Sequence, residues 1–322
     1  MPLPEDLAVV ETAGNLVKTL QGAFVKPAGY RPAHAHGRLV RGNFTPTDEA
    51  APLSTAPHLN NAFTPVIVRF SSSTGIPDIP DTDPNANPRG MAIRFVLSED
   101  GHKHTDIVAH STPFFPVRTG EGFVQMLEAI GGVTIGKFLE ENPSAAAFVQ
   151  APKPFPSSFA TEKYYGLNAF KLVSDNGSGT FVRYRMTPDA GHSVLSESDV
   201  ASKSKTYLFD ELPERLSNGP ASFKLHAQVA EEGDPTDDAT KHWPGSRKVV
   251  ELGTIKVDSV EEETESKREQ QRIIFDPVPR VEGIEPSADP LLDMRAAVYL
   301  ISGRERRAAP SPQQKPEFAA VT

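Results

Sequence analysis

Short apolar runs closed off by Pro and Gly recur through most of this chain, and they restrict its architecture more than any other feature. Val66-Ile67-Val68-Arg69-Phe70 and Met91-Ala92-Ile93-Arg94-Phe95-Val96 read as strands within a strand-like region over residues 37–117. Between them residues 75–88, dense in Pro and Asp, read as an irregular loop. Further strands are predicted over 170–173 and 180–185, joined by the hairpin signal Asp175-Asn176-Gly177, and over 223–229 and 251–257. Helical periodicity is confined to residues 7–20, 122–140 and 287–307. The last of these has Asp289 as N-cap and Pro290 as first helical residue. Many strands with helices at the edges predict an α+β fold, an antiparallel sheet or barrel with helical excursions.

With 322 residues, 38% of them hydrophobic, the chain can build one large core or two modest ones. A formal charge of −9 lacks the basic footprint of nucleic-acid binding, so no nucleic-acid partner is expected. Acidic residues cluster at Glu261-Glu262-Glu263 and over 231–238, and both clusters read as solvated turns. Cysteine is absent, which removes disulfides, iron–sulfur clusters, thiolate metal ligation and thiol nucleophiles. The N-terminus has no signal-like segment, and no apolar run approaches the ~18 residues of a membrane span. A soluble, cytoplasmic protein is expected. Its expected division is an N-terminal helical arm over 1–24, a core over 25–307 and a loose tail over 308–322.

Arg295 and Tyr299 stand four residues apart in the closing helix, which stacks the guanidinium over the phenol oxygen. A cation one turn away favours the phenolate, a hard anionic ligand for ferric iron. Plain Arg–Tyr packing gives the same spacing. A competing constellation is His34 and His36 with His102 and His104, alternating residues that suit strand-borne ligands of a non-haem metal. No carboxylate stands at a persuasive spacing for that reading.

Eight ordered blocks resemble the haem catalase superfamily, in particular its small, catalase-related peroxidase branch. They begin with Arg31-Pro32-Ala33-His34-Ala35-His36-Gly37, Val68-Arg69-Phe70-Ser71-Ser72 and Pro88-Arg89-Gly90-Met91-Ala92-Ile93-Arg94-Phe95. Asp106-Ile107-Val108-Ala109-His110-Ser111-Thr112-Pro113-Phe114-Phe115 and Tyr165-Gly166-Leu167-Asn168-Ala169-Phe170-Lys171-Leu172-Val173 follow. Thr240-Lys241-His242-Trp243-Pro244, Phe275-Asp276-Pro277 and Gly283-Ile284-Glu285-Pro286-Ser287 then lead to Arg295 and Tyr299.

The resemblance implies a catalase-like antiparallel β-barrel, with haem b (iron protoporphyrin IX) buried between the barrel and the C-terminal helix. Tyr299 is then the proximal iron ligand and Arg295 the cation that keeps it ionised. His34 is the distal acid–base, because one imidazole can take the peroxide proton and return it to the leaving oxygen. Ser71 accepts a hydrogen bond from His34 and fixes its tautomer. Arg31 and Arg69 pair with the haem propionates, joined by Arg304 or Arg306 as candidates for a further partner. Phe115 and Phe123 pack against the porphyrin.

Three departures bear on function. His110 stands where the family has a distal asparagine, unless the block slips by one residue and presents Ser111. An imidazole there is titratable, can donate or accept, and argues for weak dismutation of hydrogen peroxide. Ala33 and Ser73 replace bulkier apolar residues and predict a roomier entrance, open to organic molecules. The family's long N-terminal arm and C-terminal helices have no counterpart, so an interlocked tetramer is not expected and a homodimer is.

The expected function is a haem peroxidase that reduces hydrogen peroxide or organic hydroperoxides with small organic donors. The alternatives are a hydroperoxide-rearranging enzyme of the allene oxide synthase type, and a haem-binding protein with weak catalysis.

Overall fold

The computed structural model describes residues 2–24 and 29–310. Ten strands form its centre: β1 (Gly37–Pro46), β2 (Thr64–Ser71), β3 (Gly90–Val96), β4 (His104–His110), β5 (Tyr164–Tyr165), β6 (Phe170–Val173), β7 (Gly179–Pro188), β8 (Ala221–Val229), β9 (Val249–Val260) and β10 (Ile284–Pro286). All pairings are antiparallel. Eight strands run β7-β5-β4-β3-β2-β1-β9-β8, and β8 pairs back onto β7 to close a barrel. β6 and β10 extend the sheet outside that ring. The hairpin between β6 and β7 turns at Gly177, whose φ of +80° suits glycine.

Period-two alternation separates the barrel's interior from the functional face. Val66, Val68 and Phe70 of β2, Met91, Ile93 and Phe95 of β3, and Ile107 and Ala109 of β4 enter the main core. Phe44, Phe159, Tyr164 and Phe223 fill it further, with Phe70 stacked on Phe159 at 5.3 Å. The alternate residues Arg69, Ser71, Gly90, Ala92, Val108 and His110 lie on the outside. Register then sets Ser71 beside Gly90, and Gly90 beside His110, in one lateral row at the end of β2, β3 and β4.

The helices are α1 (Leu7–Phe24), α2 (Gly120–Gly131), α3 (Ile135–Glu141), α4 (Pro143–Gln150), α5 (Glu197–Ser202), α6 (Tyr207–Asn218), α7 (Glu263–Arg272) and α8 (Pro290–Ala308). α1 packs on α8 and α2 through Ala13, Leu16, Val17, Leu20, Met294 and Val298. Asp289 caps α8 as its sequence predicts, accepting from the Leu291 N–H at 2.9 Å.

Two sequence expectations are corrected. The single helix over 122–140 is two helices, because Gly132 ends α2 and Val133 turns the chain through a φ of +61°. Glu261-Glu262-Glu263 is a helix start rather than a solvated turn. Glu262 caps α7, accepting from the N–H groups of Thr264 and Glu265, and acidic side chains suit the helix's positive end. Of the tail expected over 308–322, residues 311–322 lie outside the described residues. No helix among the described residues is long and apolar enough to cross a membrane.

Candidate active site

A cavity of about 760 Å³ lies between the outer face of β2, β3 and β4 and the helices α1, α2 and α8. All nine residues singled out in the sequence line it: Arg31, His34, Arg69, Ser71, His110, Phe115, Phe123, Arg295 and Tyr299. Ala33 and Ser73 line it too.

The α8 wall is a relay. Arg295 Nε donates to the Tyr299 phenol oxygen at 3.2 Å, and its guanidinium carbon sits 5.6 Å from that ring's centroid. Arg295 also donates to Asn168 Oδ1, and Asn168 Nδ2 donates to Asp289 Oδ2 at 2.8 Å. The N-cap of α8 therefore orients the guanidinium that serves Tyr299 through one hydrogen-bonded line. Asn168 lay inside a block that resembles the family, yet nothing in its spacing linked it to Arg295.

The barrel wall carries two imidazoles. His34 Nδ1 lies 3.1 Å from Ser71 Oγ, and the Ser72 backbone adds a hydrogen bond that favours a proton on the ring. Gly90 makes room for it, since a Cβ there would stand 2.5 Å from Ser71 Oγ and 2.9 Å from His34 Nδ1. His34 itself holds a φ of +54°, a left-handed conformation uncommon outside glycine. Burial, then Arg69, lowers the His34 pKa to about 4. Burial, then His34 and Arg295, lowers that of His110 to about 3. Both rings are neutral at pH 7. The one-residue slip does not occur: Ser111 Oγ accepts from the Arg89 N–H at 3.0 Å, and it is His110 that reaches the cavity.

Three guanidiniums gather at one edge. Arg31 donates to the carbonyls of Gln270 and Ile273, both at 2.9 Å. Arg69 Nε donates to Gln270 Oε1 at 2.7 Å, and Arg306 donates to Ser302 Oγ and to the Ile273 carbonyl at 2.9 and 3.0 Å. None has a carboxylate partner among the described residues, and Arg306 Nε is buried without an acceptor. Burial, then Arg69 and Arg306, holds Arg31 well below its usual range; burial, then Arg306, brings Arg69 to about 9. Such an unneutralised cluster is costly unless anions meet it. Of the two C-terminal candidates it is Arg306 that lines the cavity, while Arg304 is exposed.

Between these polar groups the walls are apolar. Phe115 and Phe123 pack with ring centroids 5.3 Å apart, alongside Met294, Val298, Ala92 and Val108. An apolar slot with a cationic rim and a phenol oxygen on one wall fits a tetrapyrrole bearing two carboxylates.

The competing histidine constellation is not assembled. His36 stacks on Phe209 at 3.7 Å and is absent from the cavity wall, while His104 sits at the opposite end of β4 from His110. Among the described residues no three His, Asp or Glu converge on a metal-sized site.

Barrel, flanking helices and this site together define a class. The sequence profile of the catalase family matches residues 28–316, and the chain belongs to that family. It is 36% identical over 313 residues to a catalase-related peroxidase of Mycolicibacterium paratuberculosis, covering 95% of this chain and 98% of that protein. A catalase-related peroxidase of Synechococcus elongatus is 31% identical over 307 residues, covering 92% and 88%. The fold is that of a fungal catalase crystal structure and of catalase A from Saccharomyces cerevisiae, with TM-scores of 0.78 and 0.77, both at 24% identity. The aligned region covers 92% and 91% of this chain but only 63% and 64% of those larger chains.

Proposed function

We propose that this protein is a haem peroxidase of the catalase-related type, reducing hydrogen peroxide or an organic hydroperoxide with a small organic donor. The observation that carries this reading is a single cavity where a guanidinium-capped phenol oxygen on one wall meets two uncharged imidazoles on the other. Relatives of matching length, described as catalase-related peroxidases, support the same activity.

In this reading Tyr299 would hold the iron of haem b, and Arg31, Arg69 and Arg306 would meet its two propionates. When bound, the haem would supply the redox-active iron that peroxide reduction by one-electron donors needs. Arg295 donates into the Tyr299 oxygen and so supports negative charge there. His34, neutral at working pH, accepts the hydroperoxide proton at Nε2 and passes it to the leaving oxygen. Phe115 and Phe123 exclude water from the slot. The overall change is ROOH plus two AH giving ROH, water and two donor radicals A•, so protons and electrons balance.

Purified holoenzyme tests this. It should show the Soret absorption of tyrosinate-ligated ferric haem, and peroxide should drive oxidation of an aromatic donor. His34→Ala should lower that rate by about 10²-fold or more. An unchanged rate refutes the acid–base role, and a haem spectrum indifferent to peroxide would leave only a haem carrier.

A further inference from the structure

His110 is the residue whose chemistry its position leaves open, because an imidazole can donate, accept or carry charge. Its surroundings remove all but one of those options. The Thr112 backbone N–H donates to His110 Nδ1 at 3.2 Å, which occupies that nitrogen's lone pair. A proton on Nδ1 would set two donors against each other, which excludes both the imidazolium and the Nδ1–H tautomer. The ring's proton must then sit on Nε2. No protein acceptor meets that nitrogen among the described residues, nor is it sealed away from the cavity that His110 lines.

His34 is the converse. Its Nδ1 faces Ser71 Oγ, and with Ser71 accepting from that nitrogen its Nε2 keeps a free lone pair. Ser71, Gly90 and His110 occupy one lateral row, and His34 lies against Gly90. His34 also exerts the largest charge effect on His110, and both rings line the same cavity.

We propose that the two distal histidines are opposite neutral tautomers, His34 accepting at Nε2 and His110 donating at Nε2, so that His110 is a catalytic hydrogen-bond donor to the hydroperoxide. This rests on the peroxidase reading of the site and deepens it. One peroxide oxygen gives its proton to His34 while the other, which becomes the leaving oxygen, is held by the His110 N–H. Negative charge builds on that leaving oxygen as the O–O bond breaks, which is where a fixed donor is most effective. The backbone N–H of Thr112 acts through His110 as the positioning group.

The test is nitrogen NMR on full-length protein with ¹⁵N-labelled histidine, reconstituted with diamagnetic zinc protoporphyrin. His110 should show an unprotonated Nδ1 and a protonated Nε2, and His34 the reverse. A proton on His110 Nδ1, or the same tautomer on both rings, overturns the proposal. The same spectrum is read on chain that has taken up no tetrapyrrole, so failure to bind one counts against the haem reading and leaves the tautomers measured. In the iron holoenzyme, His110→Leu should lower kcat/KM for an alkyl hydroperoxide about 10²-fold. His110→Asn, which restores an N–H donor, should recover most of that loss. Equal losses in the two variants, or no loss in His110→Leu, would show that donation from this position is not used.

Discussion

The two walls of the cavity are built on opposite principles. On α8, Tyr299, Arg295, Asn168 and Asp289 form one line of polar bonds that ends at a helix cap. On the barrel, His34 meets Ser71 and the Ser72 backbone, His110 meets only the Thr112 N–H, and burial keeps both uncharged. A wall that must stabilise a fixed charge benefits from a long, rigid network. A wall that must move protons benefits from groups that titrate easily and are tied only enough to fix their tautomers. The contrast explains why Gly90 and a left-handed His34 occur on the barrel side alone: that wall is shaped around a ring rather than wired to it.

The largest effect should come from breaking the wired wall at its end. Tyr299→Phe keeps the ring's packing and removes the oxygen, so the tyrosinate spectrum and the peroxidase activity should both disappear. Retention of that spectrum would mean another residue is the ligand. Breaking only the shaped wall should spare the spectrum: Gly90→Ala pushes a methyl group at His34 and Ser71, and should cost about 10²-fold in kcat with the resting absorption unchanged. At the rim between the walls, Arg306→Met should weaken haem retention about tenfold, the loss of one charge-assisted contact. The melting temperature of the haem-free protein should not fall, because a buried charge without a counter-ion goes with it.

The smallest effect sharpens the contrast through pH. With its pKa depressed to about 4, His34 stays a base through mildly acidic solution, so the rate should hold from about pH 8 to pH 5 and fall only below that. Stability follows a different window. His34, His36, His58 and His110 are all depressed from 6.5, to about 4, 4, 3 and 3, with burial the leading cause in each. The unfolded chain binds protons below pH 6.5 that the folded chain refuses, so the melting temperature should decline as pH drops from 6.5 toward 4. Asp81, raised to about 6 chiefly by burial, works in the opposite sense and offsets part of the decline. A melting temperature that rises over this range would show that carboxylates dominate instead.

Local signals were enough for much of this. Strand runs bounded by Pro and Gly located most of β2, β3, β6, β7, β8 and β9, because a half-buried strand writes its period into the sequence. The Asp289 cap and the turn at Gly177 were legible for the same reason. Closure of β8 onto β7 was not, since pairing across distant segments leaves no local mark. At the site, Tyr299 with Arg295 was readable as an i, i+4 pair, and the ordered blocks supplied His34, Ser71 and His110. Asn168 was hidden because its role exists only across 127 residues to Arg295, and the choice of Arg306 over Arg304 because it depends on a contact 33 residues away at Ile273. The break at Val133 escaped because a valine with positive φ contradicts its own preference.

Barrel closure has a consequence for how copies of this chain can meet. A sheet that ends in a long open strand invites a second molecule to continue it. Here the ring has no such ending, and the extension beyond it stops at β10, three residues long, with Glu285 exposed and Pro286 unable to donate. Association through shared hydrogen-bond ladders is thereby discouraged, which leaves helices and loops as the surfaces on which any self-assembly must be built.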